Sequence, residues 1–178
     1  DGDGIGLYLV DRGASGLNIQ SYPLLAGGRA GEVTLDNTPG KALNIGLAAL
    51  QDINALAIVA QTAETLGAME SATALTKDYL GTRQQFGRPI ATFQALAHRM
   101  SDLLIELEQA RSAVINAAGY LDTSDRDLTL SATKNLIGRV GRLVAEEAIQ
   151  MHGGIAMTQE YELAHIAKRI VMADHRFG

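Results

Sequence analysis

The chain has 178 residues, 47% hydrophobic and 20% charged, which is enough apolar material for a packed core and too much for a disordered segment. Aromatic residues make up only 4% and tryptophan is absent, so the core must be built from Ala, Leu, Ile, Val and Met, a palette that suits close-packed helices better than a β-sandwich. A net charge of −5 without a basic stripe argues against a nucleic-acid face, the lack of cysteine excludes disulfides, thiolate metal sites and a Cys nucleophile, and no apolar run is long enough to span a bilayer.

The opening Asp1-Gly2-Asp3-Gly4 reads as the middle of a loop, so the chain is expected to begin inside a longer polypeptide. Residues 1–40 read as strands and turns. Leu7-Tyr8-Leu9-Val10 is a short apolar run closed by Asp11-Arg12-Gly13, and Leu17-Asn18-Ile19-Gln20 and Glu32-Val33-Thr34-Leu35-Asp36 alternate with period two. Gly27-Gly28 and Pro39-Gly40 punctuate them. Three such strands cannot cover their own faces, which predicts docking on a larger sheet.

After Gly40 the composition turns Ala- and Leu-rich. One long first helix is expected over 43–81, with Asp52-Asn54 as a candidate break and Leu56, Val59, Ala60, Ala63, Leu66, Gly67, Met69 and Glu70 at helical spacing. Gly87-Arg88-Pro89 forbids its continuation. A second helix is expected over 93–121, with Thr92 as its N-cap and Leu96, Met100, Leu103, Leu104, Leu107, Ala110, Val114 and Ala117 on one stripe. A third is expected over 128–151, where Ala132, Asn135, Gly138, Gly141 and Ala145 form a flat track for another helix and Gly153-Gly154 ends the run. A fourth is expected over 159–174, capped by Thr158, with Tyr161, Ile166, Ile170 and Val171 as its apolar face. Short connections between long helices predict a mainly α protein, an antiparallel four-helix bundle over 41–178.

Three segments carry chemistry: Arg83-Gln84-Gln85-Phe86-Gly87-Arg88-Pro89-Ile90 followed by Phe93-Gln94, then Gln150-Met151-His152-Gly153-Gly154, then Thr158-Gln159-Glu160-Tyr161. A guanidinium offers donors that match phosphate oxygens in pairs. A glycine pair lets an anion approach backbone amides. Gln94 and Gln150 can donate to and accept from a heterocycle or sugar. Each signal alone has a plainer explanation, since Arg at a helix end commonly pairs with the dipole and Gly-Gly commonly caps a helix.

Together and in this order the segments resemble the C-terminal portion of the acyl-CoA dehydrogenase family, whose hallmarks are an R-x-x-F-G-x-P-I…Q stretch and a Q-x-H-G-G stretch. The resemblance covers nearly the whole chain and makes residues 1–40 the end of the family's middle β-domain. It implies a flavoprotein oxidoreductase of fatty-acid type that removes an α-proton from an acyl-CoA and passes a β-hydride to FAD. It further implies that Arg83 and Phe86 touch the pyrophosphate and adenine side of an FAD bound mainly to a neighbouring subunit. Gln94 reaches the same dinucleotide, and Gln150, Gly153 and Gly154 contact its adenosine portion. Such a site requires an oligomer, in the family a dimer of dimers, with an acyl-CoA substrate and an electron-transfer flavoprotein or similar acceptor. A cytoplasmic location is expected.

The sequence departs from the family where the carboxylate base belongs. The two positions that the family uses fall here on Phe177, sixteen residues beyond Tyr161, and on Ala57, twenty-nine residues before Phe86, and no immediate neighbour of either is acidic. Glu64, two turns after Ala57, is a candidate displaced base, with an ion pair as its alternative role. Segments such as Glu64-Thr65-Leu66-Gly67-Ala68-Met69-Glu70 and the end of the chain from Lys168 resemble the small subunit of heteromeric, pimeloyl-CoA dehydrogenase-type enzymes, in which a partner can supply the base. Two readings therefore stand: the C-terminal part of an acyl-CoA dehydrogenase, and a scaffold subunit whose partner does the chemistry. A helical interaction module without flavin is a third. By itself this stretch is expected neither to hold FAD tightly nor to turn over. His98, His152, His165 and His175 lack metal spacing, and hydrogen bonding or packing is the expected role of His98 and His152.

Overall fold

A computed structural model describes residues 6–43 and 45–177; the acidic-glycine opening at residues 1–4 lies outside them. The chain divides into two compact units, Asp1–Asn54 and Ala55–Gly178.

In the first unit, β2 (Leu17–Pro23) and β3 (Arg29–Leu35) pair antiparallel with Leu17 opposite Leu35 and Pro23 opposite Arg29. Gly27 and Gly28, both at positive φ, close the turn, and the Leu24 N–H donates to the Gly28 carbonyl at 3.1 Å. The short β1 (Tyr8–Leu9) pairs with β4 (Lys41–Ala42). The expected strands are all present, and the hairpin extends beyond the alternating runs that announced it. Ile19, Val33 and Leu35 are exposed within this unit, as befits strands that cannot bury their own faces.

Four helices follow: α1 (Leu47–Thr82), α2 (Gln94–Gly119), α3 (Arg126–His152) and α4 (Glu162–Ala173). The antiparallel register of α2 and α3 is fixed by cross-links. Arg99 pairs with Glu147 at 2.7 Å, Arg139 with Glu106 at 3.2 Å, and the Thr133 hydroxyl donates to the Ala113 carbonyl at 3.2 Å. α4 runs against α1, with Gln61 Nε2 donating to the Ala173 carbonyl at 2.9 Å and Arg169 reaching Glu64 at 2.6 Å. Met69, Leu103, Val140, Val144 and Leu163 are fully buried at the centre. Among the described residues no helix is long and apolar enough to cross a membrane.

Several sequence expectations need correction. The single long first helix is present as α1, 36 residues without the break considered near Asp52-Asn54, both of which are exposed. Its buried stripe is Thr62, Thr65, Leu66, Met69, Ala72, Thr73, Thr76 and Leu80, whereas Leu56, Ala60 and Ala63 face outward. Hydropathy misreads this face because threonine counts as polar. In the helix Thr65 and Thr76 donate their hydroxyls to the carbonyls four residues back, at 2.8 and 2.7 Å, and present their methyls to the core. Leu104 and Val171 are likewise exposed. Neither predicted cap serves: Thr92 donates to the Pro89 carbonyl and Thr158 to the Ile155 carbonyl, each closing a 3₁₀ turn, and the helices start later, after Phe93 and Tyr161. The small-residue track is present in part. A Cβ on Gly141 would lie 3.0 Å from Ile170 Cγ2, and one on Gly138 would collide with the Asp174 carboxylate, so α4 packs close over both. Ala132 and Asn135 are exposed.

Candidate functional site

The first motif begins where α1 stops. The Arg83 N–H still donates to the Tyr79 carbonyl, and the Arg83 carbonyl accepts from the Ile90 N–H, both at 2.8 Å. Between these bonds the chain makes a tight hairpin of β5 (Gln84–Gln85) and β6 (Arg88–Pro89). Its turn residues, Phe86 at φ 54 and Gly87 at φ 78, are both left-handed, as a two-residue hairpin with native twist requires. Gly87 takes this freely, but Phe86 does so at a steric cost.

That cost purchases no burial, since Phe86 is 89% exposed. Its ring meets the Phe93 ring in a T-shaped contact, 6.0 Å between centroids, and the Arg88 guanidinium lies 4.3 Å over the Phe93 ring. Arg83 has no carboxylate partner among the described residues, and Gln94, the first residue of α2, is exposed. This edge therefore carries an aromatic face, guanidinium donors and an amide that the fold itself does not consume.

The second motif closes α3. Gly153, at φ 70 and ψ −148, ends the helix with its N–H on the Ile149 carbonyl and begins a 3₁₀ turn, Gly153–Met157. A Cβ on Gly153 or Gly154 would touch nothing in the chain, and both are exposed, as is Gln150. Backbone geometry explains Gly153. For Gly154, helical and unobstructed, no contact among the described residues requires the lack of a side chain, so its bareness suits an approach from outside.

A side-chain cluster brings the motifs to one end of the bundle. His152, only 4% exposed, stacks on Tyr79 of α1 with centroids 4.4 Å apart and planes 23° from parallel, and it meets Tyr161, the residue before α4, at 5.3 Å. Leu80, Ile90, Leu96, Ile149, Met151 and Tyr161 belong to one core cluster there. The packing role expected of His152 is thus met. Its partners escaped the sequence reading because Tyr79 and Tyr161 lie 73 and 9 residues away with no spacing to connect them. Burial lowers the His152 imidazole below its ordinary range, against an opposing hydrogen bond to the Ala148 carbonyl. The Tyr161 phenol is raised, chiefly by burial and then by Tyr79 and Glu162. His165 Nε2 contacts the Gln159 carbonyl at 2.8 Å, pinning the loop of the third motif.

Glu64 lies far from this end. Its carboxylate is paired with Arg169 at 2.6 and 3.0 Å, and both side chains are substantially exposed. Of the two family base positions, Ala57 is half-buried on α1 and Phe177 is 49% exposed after α4.

Residues 49–174 match the family model for the acyl-CoA dehydrogenase C-terminal domain. The chain is 40% identical over 114 residues to the acyl-CoA dehydrogenase IpdE2 of Mycobacterium tuberculosis, a match covering 64% of this chain and 34% of that protein. Among solved structures it resembles the Tcur3481–Tcur3483 steroid ACAD G363A variant, with a TM-score of 0.88 and 32% identity over 97% of this chain and 48% of the other. It also resembles PigA, solved with FAD and proline, with a TM-score of 0.87 and 26% identity over the same shares of the two chains. The chain thus spans between about a third and half of the length of these relatives. With a family model matched over most of its length and the bundle intact, this chain belongs to the acyl-CoA dehydrogenase family and carries its C-terminal domain.

Proposed function

We propose that this chain is the C-terminal part of a flavin-dependent acyl-CoA dehydrogenase, and that its motif-bearing end grips the adenine dinucleotide of FAD held mainly by a neighbouring subunit. The observation that carries the reading is Phe86, 89% exposed on a left-handed turn close in sequence to Arg83, which has no carboxylate partner among the described residues. Fit to the dinucleotide follows from the donor set. The Arg83 guanidinium matches pyrophosphate oxygens, the Phe86 ring offers a face to the adenosine side, and the amides of Gln94 and Gln150 supply paired donor and acceptor. Gly153 and Gly154 let the backbone come close. FAD, when bound, accepts the hydride that leaves the β-carbon of an acyl-CoA thioester. The residues of this chain bind and orient the distal half of that cofactor and exclude water from it. Residues 1–40 are read as the end of the preceding β-domain. The whole protein is then an oligomer, a dimer of dimers, acting in the cytoplasm and passing electrons to an electron-transfer flavoprotein or similar acceptor.

A second reading is favoured by a specific observation: Ala57 and Phe177 occupy the family's base positions, and Glu64 is engaged by Arg169. In this reading the chain scaffolds a heteromeric enzyme and lends FAD contacts while a homologous partner supplies the carboxylate. The test is expression of the full-length protein with and without a neighbouring homologous reading frame, followed by a flavin absorbance scan and acyl-CoA-dependent dye reduction. A yellow complex that turns over only with the partner supports the second reading, and turnover by the single chain supports the first. A colourless full-length protein in both preparations overturns both.

A further inference from the structure

Two halves of the proposed site lie on separate helices, Arg83 and Phe86 after α1 and residues 150–154 at the end of α3. A side chain that spans them is His152, stacked on Tyr79 four residues before Arg83 and adjacent in sequence to Gly153. Its Nδ1 lies 2.8 Å from the Ala148 carbonyl, which can only accept, so Nδ1 carries the ring proton. Nε2 is buried and has no hydrogen-bond partner among the described residues. The ring is thus held as the neutral Nδ1–H tautomer in a slot between two tyrosines.

We propose that His152 is the positioning residue that holds the α1 and α3 halves of this site in register, and that taking up a second proton uncouples them. The inference rests on the dinucleotide reading for its functional consequence but not for its structural one. A proton on Nε2 would place a cation in the slot. The titratable groups in contact with it are Tyr79 from α1 and Tyr161 ahead of α4, and the Tyr161 phenol is itself raised by burial, Tyr79 and Glu162. The 3₁₀ turn Gly153–Met157 contributes no titratable group and α3 only the Ala148 carbonyl. Tyrosine π-faces attract a cation, but less than removal from water costs it. The charged ring must therefore leave the slot to reach water, and with it goes the joint that aligns Arg83 with the glycine turn. The depressed imidazole is consistent with this. The sign follows from linkage: the folded pKa lies below the unfolded one, so the slot's contribution is complete above the ordinary imidazole range and is lost as pH falls below it.

The test uses the full-length protein and FAD as the probe. Affinity is measured by flavin fluorescence quenching between about pH 5 and pH 8, and apo-protein Tm over the same range. Wild type is expected to lose affinity on acidification, by up to about tenfold per pH unit for a single proton, while His152→Phe, which keeps the stack and cannot titrate, loses that slope in both affinity and Tm. Equal slopes in the two proteins overturn the proposal. If wild type binds no FAD at any pH, the functional reading fails, and the Tm comparison still decides this one. Should His152→Phe not fold, amide exchange of wild type decides it, after correction for intrinsic pH dependence. Coordinated loss of protection at 83–88 and 150–154 on acidification supports the proposal, and unchanged protection, or loss at one segment alone, overturns it.

Discussion

Gly153 and Gly154 are adjacent, exposed and equally free of neighbours, yet alanine at each should have opposite effects on stability. At Gly153 the backbone sits at φ 70 and ψ −148, a region that an L-residue enters at a cost of about 1–3 kcal/mol. At roughly 2 °C per kcal/mol in a chain of this order of size, Gly153→Ala should lower Tm by several degrees. Gly154 lies inside the 3₁₀ turn without a positive φ, and a Cβ there meets open space. Gly154→Ala should leave Tm unchanged or raise it, because loss of unfolded-chain freedom stabilises by about 0.4–1 kcal/mol. Flavin retention should move differently. If FAD approaches the bare backbone, the added methyl at residue 154 weakens retention in the full-length protein even though the fold is no weaker. The assays are thermal unfolding of apo-protein and the flavin-to-protein absorbance ratio after dialysis. Equal destabilisation by the two alanines would refute the backbone argument, and full flavin retention by Gly154→Ala would refute the close approach.

Other perturbations probe the remaining claims. Met69→Ala, at a side chain with no exposure, should cost about 2–5 kcal/mol in denaturant unfolding, a range set by how far the core collapses; a loss under about 1 kcal/mol would mean that the centre of the bundle is not close-packed. Glu64→Gln breaks only a half-exposed ion pair with Arg169, so stability should change by less than about 1 kcal/mol and acyl-CoA turnover by the complete assembly should persist; abolished turnover with intact flavin would make Glu64 the base. Phe86→Ala removes an unburied ring and relieves little strain, so Tm should hardly move while FAD dissociates faster, and an unchanged dissociation rate would remove Phe86 from the site. Arg83→Lys keeps the charge but loses the paired donor geometry, and retention of FAD should fall well below wild type.

The fold was legible wherever one signal governed the outcome. Pro89 bars a helix from running through it and Gly153-Gly154 ends one, so two of the helix boundaries follow from the residues alone. The buried face of α1 was not legible, because a helix that buries Thr62, Thr65, Thr73 and Thr76 hides its seam from any scale that prices threonine in isolation. Caps failed for a related reason: Thr92 and Thr158 have the right chemistry, but each spends its hydroxyl on a carbonyl three residues back. At the candidate site the residue types were legible and their meeting was not. Only two chain reversals, which bring α3 back beside α1 in the same direction, place His152 against Tyr79.

That return also bears on why the site needs a bundle. Arg83 and Gln150 are separated by 67 residues and by two helix reversals, and neither is buried, so nothing in their own packing fixes where they point. What can be fixed is the backbone from which they project. Arg83 is tied at both N–H and carbonyl, and the glycine turn is tied through the Ile149 carbonyl and through His152 stacked on Tyr79. Met69, Val140 and Leu163, fully buried between α1, α3 and α4, then make any relative slide of those helices costly. Exposed, unpartnered contact groups on a rigidly registered backbone are the combination that a cofactor from a neighbouring subunit requires, because binding then orders few side chains and no helices.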